Sequence, residues 1–443
     1  MFEKLFGRIL TPFEQFLKRT TSGGIILMGT TVLTLIFANS KWGGFLHDVL
    51  YQPLFIGIGS QQLKFTPHLL VNDGLMTFFF LVVGLELKRE ILVGELSSIR
   101  DAGLPVLAAL GGMVVPAFIY YSFNREGLMA RGWGIPMATD IAFAVSILVL
   151  LAGRIPRNLI VFLTALAIAD DLGAVLVIAL FYTSEISLTA LGCAAGTLIF
   201  LVLLNQGGTR HPIPYIVCGL LLWLSMLQSG IHATIAGVLL AFTIPARSAF
   251  TLVEFEKRLV QLHGLFHAEA ANPGTPDCLL SNPCMYTMAQ GVKDAARAVQ
   301  SPLQRMEHAL SPWVTFLIIP IFALSNAGID FGEIRVGESL RQPVTLGVIF
   351  GLVVGKFLGI SVFSWIAVKL RIGRLPAGVE WRHLLGVAWL GGIGFTMSLF
   401  ISQLAFDDPL VKEQAKMGIL FASALSAGIG SLWLYLTGRI SQK

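Results

Sequence analysis

Several ionisable residues of this sequence stand inside apolar stretches, where charge is costly. Asp140, the adjacent pair Asp170 and Asp171, and Lys356 each interrupt a hydrophobic run long enough to cross a bilayer. A charge at the bilayer centre costs about 2.5 to 3.5 kcal/mol on insertion scales. Apolar residues could supply stability alone, so three carboxylates and one ammonium at similar depth predict a functional site.

The adjacent carboxylates Asp170 and Asp171 carry geometric information. Neighbours on a helix point about 100° apart, so one carboxylate can face a water-filled cavity while the other faces a helix that carries Lys356. Two partly desolvated carboxylates so close together are expected to exchange protons near neutral pH. Such a site can hold protons or a cation, but not both.

The composition places these residues in lipid. Of 443 residues, 55% are hydrophobic and 13% charged, against about 25% charged in a soluble domain. This composition, with 46 Gly and a mean hydropathy of +0.76, excludes a disordered chain, a nucleic-acid-binding protein and a disulfide scaffold. We read all four cysteines as reduced.

The apolar stretches predict an all-α polytopic membrane protein with about twelve transmembrane helices. The predicted spans are 24–40, 69–87, 101–123, 133–152, 158–183, 188–204, 214–229, 231–245, 312–327, 343–368, 384–404 and 414–438.

Two of these spans are interrupted. The fourth contains GIPMATDIAF and the eleventh contains GGIGFTMS, and each is the middle member of a group of three. Spans 3 to 5 and 10 to 12 would start from opposite sides of the membrane, which predicts an inverted-topology repeat with two broken helices crossing near the midplane. Freed carbonyls there could serve as oxygen ligands for a bare cation.

The basic residues set an orientation. About three times as many of the 31 Lys and Arg fall on the side of the N-terminus as on the other side, which predicts that both termini are cytoplasmic. The start of the chain lacks a cleavage site and is expected to form a helix at the membrane surface. The predicted organisation is therefore an interfacial segment 1–23, eight spans over 24–245 with a repeat unit at 101–183, a cytoplasmic insert 246–311, four spans over 312–438 with a repeat unit at 343–438, and a tail 439–443.

The insert 246–311 has two helical stretches, 252–269 and 286–299, around a turn-rich middle. His263 and His267 at i, i+4, followed by Cys278 and Cys284, make a zinc site conceivable. The cysteine spacing is not a common one for zinc, so the sequence favours an insert without metal.

An outer loop has a different pattern. Residues 54–65 read as two short strands around Gly59-Ser60, which predicts a short periplasmic β-hairpin. A lone hairpin is marginal in water, so we expect it to pair with a second copy and form a homodimer.

The motifs of this sequence resemble those of the NhaA-type bacterial sodium/proton antiporters over nearly the whole chain. They keep their order and spacing: TSGGIIL, ANS, NDGLM, GLELKRE, ATDIAFA, LAIADDLGA, HATIAG, SNAG, GKFLGI and GIGFTMS.

The resemblance implies roles for residues of the motifs. Asp171 matches the carboxylate taken to bind sodium or lithium, Asp140 and Thr139 help to shape the site, and Asp170 is expected to pair with Lys356 and exchange protons. Asp73 matches an acidic residue on the outward passage. A cytoplasmic cluster linked to pH sensing is implied for Glu86, Arg89, Arg305, Glu307 and His308.

The sequence departs from the family pattern near that cluster. Gln304 stands where a Lys is common and Ser311 where a His is common, and the insert is longer than expected. We therefore expect an altered pH dependence. His232, a lone histidine in SGIHATIAG, is expected to be a core residue with a satisfied hydrogen bond.

The expected function is electrogenic export of cytoplasmic Na⁺ or Li⁺ in exchange for external H⁺ by alternating access, serving pH and sodium homeostasis in the bacterial inner membrane. No cofactor is expected. A solute symporter of related fold is the alternative, although no intramembrane Arg is present to bind an organic anion. An intramembrane aspartyl protease needs a Gly-x-Gly-Asp context, whereas this chain has MATD and AIADD. A passive channel is disfavoured, because paired buried charges suit a gated exchange site better than a continuous pore.

Overall fold

The computed structural model describes residues 22–58, 61–183, 186–270, 282–329 and 336–438. Over these ranges most of the chain is helical, and the helices are long and apolar. A backbone in lipid must satisfy its hydrogen bonds within its own segment, and long helices do this. The prediction of an all-α polytopic membrane protein is confirmed.

The described part of the N-terminal half holds nine helices, one 3₁₀ segment and two strands. They are α1 (Ser22–Ala38), α2 (Gly43–Tyr51), β1 (Leu54–Ile58), β2 (Gln61–Phe65), α3 (Pro67–Val93), α4 (Ile99–Phe123), the 3₁₀ segment (Gly127–Met137), α5 (Ile141–Leu150), α6 (Arg157–Phe181), α7 (Leu188–Gln206), α8 (Pro212–Ser229) and α9 (Ile235–Thr243).

The described C-terminal half is also helical. It contains α10 (Leu252–Ala270), α11 (Pro283–Val299), α12 (Pro302–Asn326), α13 (Val336–Ser339), α14 (Pro343–Lys369), α15 (Trp381–Leu390), α16 (Phe395–Ala405) and α17 (Pro409–Thr437).

Nine described segments are long and apolar enough to span a bilayer on their own, and two bent helix pairs raise the number to eleven. The pairs are α1 with α2, and α15 with α16. Within the predicted span 231–245 the helical part is α9, which has nine residues. The count of twelve spans therefore stays a prediction.

The helices expose apolar side chains outward. In α7, for example, Leu188 is 80% exposed and Ile199 is 62% exposed. An exposed apolar surface of this extent is what a bilayer would cover, because in water it would drive aggregation.

Two segments are broken, near the predicted positions. The first starts as a 3₁₀ helix at Gly127, not at residue 133, and its backbone is extended around Ala138 before α5 begins at Ile141. The proline at position 136 and the glycines around it favour this irregular backbone. The second break separates α15 from α16 with a bend of 44°.

Close packing of α4 against α14 positions the lysine at 356. A Cβ on Gly359 would collide with the backbone of Gly111, so the two helices can approach each other only because both residues are glycine. The aliphatic stem of Lys356 passes beside Gly112. A π-helical turn, Gly351–Gly355, directly precedes the lysine, and a second one, Leu70–Leu75, contains Asp73. Such turns are frequent at functional sites.

The predicted insert forms a helical hairpin of α10 and α11, over the two predicted stretches. Its ends lie together, because Leu303 N donates to Pro245 O at 3.1 Å and Ala249 N donates to Ala298 O at 2.8 Å. Helix α12 begins at Pro302, not at 312, since Ser301 and Gln304 form a capping box at its start.

The strands β1 and β2 pair antiparallel, with Leu54 opposite Phe65. The predicted turn residues Gly59 and Ser60 lie outside the described residues.

Candidate functional site

Lys356 and Asp170 form an ion pair with no exposed side-chain surface. Lys356 Nζ also donates to Thr139 Oγ1 at 2.9 Å. The Thr139 hydroxyl lies 2.8 Å from Asp170 Oδ2 and 2.9 Å from the carbonyl oxygen of Gly391. The lysine of α14 therefore meets the carboxylate of α6 at the first chain break, and the family resemblance had implied this pairing.

Asp171 is buried as completely as Asp170 but is bonded differently. Neither of its carboxylate oxygens has a hydrogen-bond partner among the described residues. The charged groups that act on it electrostatically include Asp140, Asp170 and Lys356. A buried carboxylate without a protein partner is costly as a lone anion, and a bound proton or cation would offset that cost.

Asp140 is anchored at the start of α5, where it caps the helix. Its Oδ1 accepts from Phe143 N at 3.0 Å, and its Oδ2 accepts from Thr396 N at 3.1 Å and from the Thr396 hydroxyl at 2.6 Å. These bonds stabilise a carboxylate anion and fix its direction.

The two broken segments are bonded to each other. Asp140 N donates to Ile393 O at 2.6 Å, and the Ser398 hydroxyl donates to Ile135 O at 2.7 Å. The breaks thus satisfy each other's backbone groups where no regular helix does so. They also bring Thr139, Asp140 and the Gly391 carbonyl toward one place, close to Asp170.

Asp73 lies away from this cluster, beside a histidine. His232 Nε2 is 3.7 Å from Asp73 Oδ1, and Trp223 Nε1 donates to the Asp73 carbonyl at 3.1 Å. His232 Nε2 has no hydrogen-bond partner among the described residues, so the expected hydrogen bond of this histidine stays a prediction. The sequence pointed to each residue but not to the pair, since residues so far apart in the chain share no spacing pattern.

The predicted pH-sensing residues are only partly together. Arg89 Nε contacts Glu307 Oε1 at 3.1 Å, and Arg89 Nη1 contacts Glu90 Oε1 at 3.2 Å, with Glu86 in electrostatic range of Glu307. The other two predicted residues of this cluster point elsewhere, because on a helix His308 is rotated from Glu307 by about 100° and Arg305, two residues away, by about 200°. His308 is exposed, and Arg305 lines a separate surface cavity with Arg210 and Arg297.

The insert holds part of the conceivable zinc set. The rings of His263 and His267 are in contact, with centroids 4.5 Å apart. Cys278 lies outside the described residues. Over the ranges that the structure describes, no three His, Cys, Asp or Glu side chains are grouped as metal ligands would be.

The groups at this site are of the kind that bind cations and protons. Carboxylate, hydroxyl and carbonyl oxygens converge at the crossing of two chain breaks, and hard monovalent or divalent cations prefer oxygen ligands. One carboxylate has a lysine partner and its neighbour has none. The site can therefore take a cation or protons at buried carboxylates.

The comparisons with known proteins decide the family. The model of the family Na⁺/H⁺ antiporter 1 matches residues 14–434. The chain is 69% identical to the Na⁺/H⁺ antiporter NhaA of Syntrophobacter fumaroxidans, over 98% of this chain and 92% of that protein. It is 56% identical to the NhaA of Acidithiobacillus ferrooxidans, over 97% of this chain and 98% of the relative.

The chain belongs to the NhaA family of Na⁺/H⁺ antiporters. The resemblance read from the motifs is confirmed, and members of this family are transporters rather than enzymes. The protease, symporter and channel alternatives receive no support.

Two residues of this NhaA-family site were not singled out from the sequence. Thr396 lies within the motif GIGFTMS, yet its bonds to Asp140 follow only from the crossing of the two breaks. Asn326 lies within SNAG and donates to Asn72 Oδ1 at 3.1 Å, beside Asp73. Both stand in motifs quoted for the family resemblance, and that was their only signal.

Proposed function

We propose that this chain exports Na⁺, or Li⁺, in exchange for H⁺ at Asp170 and Asp171 by alternating access. One observation carries the assignment: the Asp171 carboxylate is fully buried and neither oxygen has a hydrogen-bond partner among the described residues. Such a group is stable when it carries a proton or holds a cation, and the two conditions exclude each other. Competition for one carboxylate is the basis of exchange.

Asp140 is proposed as the second sodium ligand. Phe143 and Thr396 hold its carboxylate in position, so it can supply an oxygen without moving. Thr139 helps to shape the same site through its bonds to Asp170 and Gly391. Na⁺ is the substrate here, and its ligands have to be ready before it arrives.

Asp170 is proposed as the second proton carrier. Its partner Lys356 favours the ionised carboxylate. Arriving Na⁺ displaces protons from both aspartates, the site is then exposed outward, and external protons release the ion. Either Asp170 takes up the second proton while Lys356 stays charged, or Lys356 carries that proton itself. Both routes move two protons per Na⁺.

The access routes are proposed from the surroundings of α6 and α3. A cavity of about 470 Å³ is lined by Glu90, Asp101 and Thr164. Thr164 is seven residues, or about two turns, before Asp171 on the same helix, and therefore on the same face. We assign this cavity to the cytoplasmic route, with Glu86, Arg89 and Glu307 at its pH-sensing end, and Asp73 to the outward passage.

The topology is part of the proposal. The proposed topology has twelve spans in the bacterial inner membrane, with an inverted repeat of 101–183 and 343–438. The distribution of Lys and Arg supports cytoplasmic termini. The antiparallel strands β1 and β2 are proposed to join a homodimer by pairing with a second copy. Deletion of residues 53–64 should convert the dimer to a monomer on native gels, and an unchanged dimer would refute this part.

The test is exchange in proteoliposomes. Na⁺ and Li⁺, but not K⁺, should dissipate an imposed proton gradient at several pH values. Asp171→Asn should abolish this, because a neutral amide neither releases a proton nor balances the charge of Na⁺. Asp407→Asn, at an exposed position, is the matched control and should exchange like the wild type. Wild-type exchange by Asp171→Asn would exclude the proposed site.

A further inference from the structure

The first broken segment begins with an unusually long 3₁₀ helix. It runs over 11 residues, Gly127–Met137, and leads through Ala138 directly into Thr139 and Asp140. Runs of 3₁₀ helix longer than three or four residues are uncommon, because their hydrogen bonds have poor geometry. Groups outside this segment are therefore expected to stabilise it.

Two tyrosine hydroxyls bind backbone carbonyls of the 3₁₀ segment. Tyr120, near the end of α4, donates from its hydroxyl to Met129 O at 2.9 Å. Tyr182, which directly follows α6, donates from its hydroxyl to Arg131 O at 2.6 Å. A carbonyl oxygen can only accept, so the hydroxyl is the donor in both bonds. The two bonds join the 3₁₀ segment to both helices that flank it in the chain.

Glycines of the 3₁₀ segment make room for both hydroxyls. A Cβ on Gly132 would lie 2.4 Å from the Tyr120 hydroxyl, and a Cβ on Gly134 would lie 2.8 Å from the Tyr182 hydroxyl. Neither glycine has a positive φ, so the backbone conformation does not require glycine at either position. The space that the tyrosines occupy is what excludes larger residues.

The two tyrosines are themselves held in place. Tyr120 is fully buried, and Asn124 Nδ2 donates to Tyr120 O at 3.3 Å and to Pro343 O at 2.9 Å, which fixes the end of α4 against the start of α14. Beside Tyr182, the ring of Phe181 contacts the ring of Trp133 edge-on, with centroids 5.0 Å apart. The hydroxyls are therefore fixed points for the 3₁₀ segment.

We propose that Tyr120 and Tyr182 are positioning residues for Na⁺ binding, because their hydroxyls keep residues 127–137 in 3₁₀ geometry and so set the position of Thr139 and Asp140. A 3₁₀ helix rises about 2.0 Å per residue and an α-helix about 1.5 Å. Conversion of the segment to an α-helix would shorten it by about 5 Å and draw Asp140 away from its place in the site. The inference rests on the exchange proposed above, with Asp140 as a sodium ligand.

The first experiment measures half-saturating Na⁺ and the maximal rate of exchange in proteoliposomes. Tyr120→Phe removes only the hydroxyl, and half-saturating Na⁺ should rise by about fivefold, the effect of one neutral hydrogen bond. The maximal rate per folded protein should stay at the wild-type level, whereas general damage to the fold would lower it. Tyr121→Phe is the matched control, because the neighbouring Tyr121 is 49% exposed, and it should behave like the wild type.

A pair of substitutions at the second hydroxyl tests the same mechanism. Tyr182→Phe should raise half-saturating Na⁺ by about threefold, because its bond is more exposed than that of Tyr120. Gly134→Ala should cause the same rise, since the added methyl group displaces the Tyr182 hydroxyl. In the double variant the methyl group has room, so no further rise is expected. Effects that multiply in the double variant would overturn the inference.

Hydrogen exchange of the backbone amides of residues 127–137, in detergent, tests the bonds without transport. These amides should exchange faster in Tyr120→Phe than in the wild type and in Tyr121→Phe. Unchanged amide exchange in Tyr120→Phe, or unchanged half-saturating Na⁺, would overturn the inference. Faster amide exchange together with no Na⁺-driven proton movement by the wild type would support the role of the tyrosines in the fold and refute the proposed function.

Discussion

At the scale of single residues, the site differs from an ordinary buried ion pair by one unpartnered group. Lys356 and Asp170 neutralise each other, and Thr139 completes their bonding. Asp171 has no such arrangement among the described residues. A fold selected only for stability would replace such a carboxylate with an apolar residue. The paired and unpaired aspartates, adjacent in sequence, therefore have different tasks.

The Lys356–Asp170 pair leads to a stability prediction. Lys356→Met leaves a buried carboxylate without its counter-charge, and breaking a buried pair from one side typically costs about 3 to 5 kcal/mol. The double variant Lys356→Met with Asp170→Asn removes both charges and should recover most of this loss. Thermal unfolding of the purified proteins in detergent measures the cycle. Additive effects of the two substitutions would contradict a coupled pair.

Lys356→Met should also change the pH at which the site releases protons. A neighbouring positive charge favours the carboxylate anion, so without Lys356 the protons should be released at a higher pH. The pH profile of any remaining exchange by Lys356→Met should thus move to the alkaline side. An unchanged profile would mean that the lysine does not act on Asp170.

At the scale of elements, the two breaks act as one unit. The Thr396 hydroxyl belongs to α16 and binds a carboxylate at the start of α5, at 2.6 Å. Thr396→Val keeps the shape and removes this bond, which is worth about 1.5 to 3 kcal/mol when a charged group accepts it. We expect half-saturating Na⁺ to rise by about tenfold or more, because Asp140 loses one of the three bonds that fix its direction.

Thr396→Ser is the matched control, since it keeps the hydroxyl. It should restore sodium affinity to within about threefold of the wild type. Equal affinities of the valine and serine variants would show that the hydroxyl has no part in binding Na⁺.

The packing of α4 against α14 has a test of its own. Gly359→Ala places a methyl group into the backbone of Gly111 and separates the helices, which should destabilise the protein by about 1 to 3 kcal/mol. Gly192→Ala is the control, because its Cβ would enter open space within a helix. That variant should be neutral or more stable by up to about 1 kcal/mol. Thermal unfolding in detergent compares the two.

The sequence predicted those features of the helices that depend on local composition and spacing. Apolar length predicted the long helices. Pro136 with Thr139-Asp140 in GIPMATDIAF, and the glycines of GGIGFTMS, predicted the two breaks. The start of the first broken segment and the start of α12 were predicted several residues late, because 3₁₀ geometry and a capping box extend helices through polar residues. The bonds between the breaks could not be predicted, since they join residues about 250 positions apart.

At the scale of the whole molecule, the ionisable residues are grouped by their burial rather than by their position in the chain. The ionisable groups in the interior were predicted to form the site, and Asp170 and Lys356 are in contact. The residues of the pH-sensing cluster, carried over by resemblance, were brought together only in part. Helical direction explains this, because Arg305, Glu307 and His308 cannot all face one neighbour.

The whole molecule should move net charge across the membrane in each transport cycle. If Asp170 and Asp171 both reload with protons for each Na⁺, one net positive charge enters per cycle, and the membrane potential contributes about 2.3 kcal/mol per 100 mV to export. In proteoliposomes with a potassium diffusion potential, an inside-negative potential should accelerate Na⁺ export coupled to H⁺ uptake, and its reversal should slow it. Exchange that ignores the imposed potential would mean that one proton moves per Na⁺, with only one of the two aspartates reloading in each cycle.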